Sequence, residues 1–454
     1  MAKRKTRKNT SGERAKAFAA RLRRGRKPLD LLERGHAGVR RLIEPLADGA
    51  RRAASAVRKN PKRTLLAMIL LALCAALSFY AITRPRAPVI AFYRVPDGVR
   101  NAIVSEAEES GAFRETDFRT LVLDETRPLA AQTRRHGSIQ LLFLEDGRAA
   151  ALLAERSAAI PNGVGKALPL SFRESARLAG ESYAVPLLAD HFEIAWPKAL
   201  FERLSLPPPR TTAAFLDAVK AATGQVRSPL VCAGSDDRQL LFLVSAMVSA
   251  RYGPDERERL VTALRDGVSF AEALSSTRLR DVLGELVSWR ETGALHPEWL
   301  KFRERDVQGF MAEEYAAMAF MSLSAHRRVP LKTIVRHESQ FFPQESFTAK
   351  NELVAPVYVG MALDSGPRDS PARDFLFSLV GPKPQGRIAA RSGLAPVALL
   401  AETQDRQAED VRYWIAASAR AVPDVATAAY DDPQRITDLA REIRTYLDMN
   451  GTGY

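Results

Sequence analysis

Glu145 and Asp146 close the apolar run 139–144 (IQLLFL) and stand just ahead of a helical stretch at 147–155. Carboxylates there suit ligand contact, since ligands of open α/β sheets bind outside the carboxyl ends of the strands. Capping the helix that follows is the other duty open to them. Other chemistry is sparse. Residues 162–167 (NGVGKA) carry the glycines and lysine of a phosphate loop, but Ile160 stands at the first glycine position. Ala167 also lacks the hydroxyl that would hold Mg²⁺. His337-Glu338 has no second histidine four residues after the first, which excludes a zinc-protease helix. His136, His191, His296, His326 and His337 show no ligand spacing, and two cysteines exclude a disulfide scaffold and a cysteine-rich metal ribbon. No catalytic residue, metal or cofactor is expected.

The elements that must position such residues come from the apolar pattern. Segments 87–93 (APVIAFY), 118–123 and 139–144 are short and apolar, and helical stretches at 99–110 and 147–155 separate them. Short buried strands alternating with helices predict a mainly parallel α/β sheet. With 26% charged and 7% aromatic residues the chain has the composition of a folded protein, and 454 residues give room for two or three domains.

Charge is unevenly placed. The net charge is +14, yet residues 1–63 hold 21 Lys+Arg against five acids, leaving 46 Lys+Arg against 48 Asp+Glu in the rest. A basic arm suits either nucleic acid or an anionic membrane surface. Residues 64–83 (TLLAMILLALCAALSFYAIT) decide for the membrane, because they carry no charge, proline or glycine. A helix needs about 20 such residues to cross the hydrocarbon core. Lys59, Lys62 and Arg63 precede the segment, and Phe79 and Tyr80 lie near its end. The expected layout is a cytoplasmic basic tail at 1–63, a transmembrane helix at 64–84 and an extracytoplasmic domain at 85–454. No nucleic-acid partner is expected. Within the tail, Val39, Leu42, Ile43 and Leu46 form a short amphipathic pattern suited to anionic inner-leaflet lipids. An uncleaved anchor is expected; for Cys74 a membrane-embedded thiol and lipid attachment both stay open.

The centre of the chain is the most specific part. Residues 180–186 (GESYAVP) lead into 187–198 (LLADHFEIAWPK), then 200–202 (LFE), 206–209 (LPPP), and Thr211 before a helix with Phe215, Leu216, Val219 and Lys220. Physically this is a strand, a short polar segment, a second strand, a short helix, a proline-stiffened turn and a Thr-capped amphipathic helix. The order closely resembles the bacterial extracellular solute-binding proteins of family 1, the maltose-binding-protein-like group. Tyr183, Val185, Pro186, Lys198, Leu200, Phe201, Leu206, Pro207, Pro209 and Thr211 stand at matching positions. Trp196 falls where an aromatic is usual, whereas Pro197 replaces the usual Asn and Thr212 the usual Trp. Residues 279–289 with Gly293 and Pro297, then 310–321, 372–379 and 393–396, continue the series, with Glu313 and Glu314 in place of its Gly-Lys region. The resemblance spans about residues 87–410.

It implies a two-lobed α/β fold of the periplasmic-binding-protein (Venus flytrap) kind, with a solute between hinged lobes. By that analogy lobe one is 87–192 plus 354–395, and lobe two is 193–353 plus 396–454. The implied ligand contacts, besides Glu145 and Asp146, are Asp190 and His191 at the crossover, Trp196, and Asp236 and Asp237 after the strand at 229–234. Ser322, Ser324 and His326 follow the strand at 318–321, where the family often has a stacking Trp that is missing here. Tyr358 lies on the return strand. The implied function is a membrane-anchored extracytoplasmic binding protein that hands a small organic solute, a sugar among the candidates, to ABC permease subunits. The alternative is an anchored sensor or scaffold that keeps the fold without transport, for which the basic arm and the missing Trp speak.

Overall fold

The computed structural model describes residues 70–75, 87–113, 118–166, 168–173, 176–178, 181–345, 351–363, 370–403 and 406–450. The expected tail at 1–63 lies outside the described residues, as does most of the segment at 64–84. Within that segment residues 70–75 are helical, with Leu70, Leu71 and Leu73 exposed. Among the described residues no helix is long and apolar enough to cross a membrane. The chain divides into Met1–Arg86 and Ala87–Tyr454, and the second unit carries the fold.

Ten strands of that unit form two sheets. The first contains β1 (Val89–Tyr93), β2 (Arg119–Val122), β3 (Ile139–Glu145), β4 (Val185–Ala189), β9 (Val357–Ala362) and β10 (Ala395–Pro396). The second contains β5 (Phe192–Pro197), β6 (Ser228–Cys232), β7 (Ala316–Ser322) and β8 (His337–Phe341). Their spatial orders are β10-β4-β9-β3-β1-β2 and β8-β5-β7-β6. β1 is parallel to β2 and β3, and β6 to β7. β9 runs antiparallel to β3 and β4, and β5 antiparallel to β7 and β8. Both sheets are therefore mixed, not mainly parallel as expected. β9 and β5, which run against their neighbours, have each just entered from the other lobe and so need no helical crossover. β1, β4 and β7 are buried along their whole length, because helices, α1 (Asp97–Glu109) among them, cover both faces; this is why they read as unbroken apolar runs.

Among the described residues three segments join the lobes. Asp190 and His191 link β4 directly to β5. The Asp190 carboxylate accepts hydrogen bonds from the Ser324 backbone N–H (2.9 Å) and hydroxyl (2.7 Å), which tie the crossing to the second lobe. The Asp190 N–H donates to the Pro356 carbonyl at 2.8 Å, next to the second crossing. That second crossing, Glu352–Val354, pairs in parallel with the third, Arg420–Val422.

Helix α3 (Arg406–Ala417) puts Ala408, Val411 and Ile415 into the core of the first sheet. Val397, Ala408, Val411, Ile415 and Ala421 therefore pack with lobe one, whereas the resemblance implied lobe two for 396–454. The second core begins at Val422 and takes in α4 (Val425–Ala429) and α5 (Pro433–Asn450).

Gly360 at the middle of β9 shows how tightly the first core is filled, since a Cβ there would lie 2.8 Å from the Phe143 ring and would also strike Leu376. Gly360→Ala is expected to cost about 1–3 kcal/mol through overpacking, read as a fall in urea midpoint at unchanged slope.

Candidate functional site

The carboxyl ends of the first sheet point at the second lobe. Arg94 follows β1, Glu125 and Thr126 follow β2, and Glu145 ends β3. Opposite them, the chain leaving β6 enters helix α2 (Asp237–Arg265), which is broken at Gly253 (φ 80°) just before Pro254. Asp236 caps α2 by accepting the Gln239 N–H at 3.1 Å, which places Asp237 and Arg238 in the first turn. A cleft of ≈ 280 Å³ lies between these groups, completed by Asp424, Thr427 and the first turn of α5.

One contact spans the cleft. Arg238 donates from Nη1 to Glu145 Oε2 at 2.9 Å and from Nη2 to the Tyr358 hydroxyl at 3.0 Å, so a second-lobe guanidinium grips two first-lobe residues. Its plane also lies over Phe242, 5.0 Å from the ring centroid. Burial pushes the Glu145 carboxyl up, while Arg238 and Arg94 pull it back. Burial opposes the charge on Arg238, but Glu145 and its neighbours outweigh this and hold the guanidinium charged. Burial raises the Tyr358 phenol as well. A second contact lies beside the first. Gly147 has φ 151°, and a Cβ on it would stand 2.7 Å from the Thr427 carbonyl, so the turn after β3 rests directly on α4.

Of the ten candidate residues, Glu145 and Tyr358 anchor this bridge, and Asp237 lines the cleft while pairing with Arg444. The others serve elsewhere. Asp146 is buried, accepts from the Tyr183 hydroxyl (2.7 Å) and the Ala176 N–H (2.9 Å), and so ties Ala176 and Tyr183 together within lobe one. Asp190 and Ser324 bond each other in the first crossing, and Asp236 is a helix cap. Trp196 is core, packed on Phe201 at 5.4 Å. His191 is buried beside Trp414, and desolvation pushes its imidazole down to about 3. His326 meets Glu193 at 2.7 Å inside the second lobe, where Gln407 of α3 reaches both from the first.

Sequence reasoning missed Arg94, Glu125, Arg238 and Asp424. The rule that picked Glu145, a polar residue just past a buried strand, also picks Arg94 when applied to β1, whereas Glu125 follows Leu123 and Asp124 after the largely exposed edge strand β2. Nothing local marks Asp424 or α5, which reach the cleft only through the third crossing.

No family model matches the sequence, and no curated protein matches it. Solved structures do. The bacterial solute receptor AcbH, described as having an exclusive preference for β-D-galactopyranose, superposes with a TM-score of 0.66 at 13% identity, covering 80% of this chain and 93% of its own. The chain has the fold of bacterial solute-binding proteins. RafE of Streptococcus pneumoniae aligns with a TM-score of 0.60 at 15% identity over 81% of this chain and 99% of its own, and RafE has also been solved with raffinose. A sugar transporter protein of Bacillus licheniformis bound to stachyose aligns with a TM-score of 0.54 at 13% identity, covering 80% and 98%. These neighbours are solute-binding receptors rather than enzymes, and at such identities the likeness is one of fold.

Removing the guanidinium strands a buried carboxylate. Arg238→Ala is expected to cost about 2–4 kcal/mol at pH 7.5, with the deficit shrinking toward pH 5 as Glu145 takes up a proton. Urea melts at the two pH values check this. The buried histidines act in the other sense. His191 near 3 and His337 near 4 are neutral when folded, so the unfolded chain protonates first. Their stabilisation is whole above the unfolded value of ~6.5 and is lost as pH falls toward those values, by up to ~1.4 kcal/mol per pH unit for each group. His191→Phe is expected to flatten that slope in a pH series of melts.

Proposed function

We propose that this chain is an extracytoplasmic solute-binding protein, tethered to the inner membrane by the apolar segment 64–83, which delivers a small organic solute, foremost a sugar, to an ABC importer. The observation that carries the reading is the cleft at the carboxyl ends of β1, β2, β3 and β6, between lobes joined by three crossing segments. Such a cleft suits binding coupled to closure, because a ligand touching both walls favours the shut arrangement by its differential affinity. The galactopyranose, raffinose and stachyose of the structural neighbours support a sugar. The basic arm at 1–63 suits anionic inner-leaflet lipids. One observation favours a second reading, an anchored sensor or scaffold without transport: Arg238 itself makes a lobe-to-lobe bond of the kind a ligand would make.

Binding should raise the melting temperature by linkage, with about 2.7 kcal/mol of added stability at a hundredfold excess over Kd. A melting-temperature screen of sugars and polyols is expected to give at least one saturable rise. Deleting residues 1–63 while keeping the anchor is expected to leave uptake intact. No rise with any solute, together with loss of a downstream response on that deletion, would replace transport with the sensor reading.

A further inference from the structure

The walls of the cleft carry information about the size and charge of its occupant, which deepens the binding-protein reading and rests on it. We infer that the cleft takes a single uncharged sugar ring, or a polyol of that size, and that Arg94 is a specificity-determining contact for it.

Size is the first argument. At ≈ 280 Å³ the cleft falls just under the ~300–1,000 Å³ of pockets that enclose drug-sized ligands. It is bounded by direct contacts between the lobes, the Glu145–Arg238–Tyr358 bridge and the seat of Gly147 on Thr427. A chain of several sugar rings needs a trough that runs past such contacts. It also gains from aromatic faces that cover successive rings. Among the described residues no aromatic side chain lines this cleft.

Charge is the second. Asp237 is paired with Arg444, and Arg238 with Glu145. Asp424 spends one carboxylate oxygen, Oδ1, on the backbone N–H groups of Ala426 and Thr427, both at 2.9 Å. Among the described residues this leaves three cleft-lining charges outside any ion pair: Arg94 and Glu125, one of each sign on the first lobe, and Asp424 opposite, whose Oδ2 takes no hydrogen bond. A guanidinium donor and a carboxylate acceptor on one wall match neighbouring hydroxyls of a neutral polyol, which donate and accept in turn. Arg94 has φ 54°, in the left-handed region that non-glycine residues seldom occupy, and such strained positions cluster at ligand-contacting sites.

The test uses the purified full-length chain and reads melting temperature against concentration for seven probes. Galactose, glucose and myo-inositol are the neutral single rings, raffinose and stachyose the oligosaccharides, glucuronate the anion and glycine betaine the zwitterion. A neutral single ring is expected to act at a concentration at least tenfold below that needed for raffinose or stachyose. Arg94→Gly, which removes the guanidinium and suits the backbone angle, is expected to raise that concentration at least tenfold, and Arg94→Lys to restore part of it. Preference for an oligosaccharide overturns the size inference while solute binding stands. Preference for glucuronate or glycine betaine overturns the charge inference in the same way, and an unchanged response in Arg94→Gly removes Arg94 from the site. Silence with all seven overturns this inference together with the sugar reading on which it rests.

Discussion

A carboxylate that is almost fully buried must find a counter-charge, and Glu145 finds its own on the other lobe. Desolvating a charge costs several kcal/mol unless a partner and good hydrogen-bond geometry offset it. Glu145 is 4% exposed, and the guanidinium at 2.9 Å supplies both. The ends of two strands and the start of α2 are thereby held to one relative placement, since neither side of the ion pair can withdraw without stranding the other. The cleft is the space left around that bond. Its walls, its modest volume and the close seat of Gly147 on Thr427 all follow from the lobes being drawn together there.

The same economy governs the joints. Asp190 and Ser324 satisfy each other at the first crossing, and Glu193 and His326 are met by Gln407 from α3 of the opposite lobe. Polar groups this deep are tolerated because each has a partner, and several of those partners lie across a lobe boundary. Reorganisation of the lobes thus exchanges specific hydrogen bonds together with apolar contacts such as Phe341 on Trp414. That kind of contact gives discrete arrangements.

Much of this was legible in the sequence. The runs at 87–93 and 139–144 read as strands because both sheet faces are covered, leaving no polar alternation to blur them. The ordered segments from Tyr183 to Thr211 announced two lobes and a crossover. Burial was what the sequence hid. Asp190, His191, Asp236 and His326 were picked as polar residues at junctions, and the structure uses them as locks, caps and fillers because the junctions are packed. The boundary near 396 came from the resemblance, whereas the structure crosses between the sheets at 420–422. Arg238 escaped notice because its role exists only once Glu145, 93 residues away, is brought beside it.

The parallel pairing of Glu352–Val354 with Arg420–Val422 bears on how such a body can flex. Two of the three tethers form a laminated ribbon, stitched along its length by peptide bonds' own donors and acceptors, while the third, at Asp190-His191, has no residues to spare. Sideways shear or separate stretching of either ply would tear those stitches. A torsional swing about the ribbon leaves them whole, so the protein has in effect a door with its axis built in.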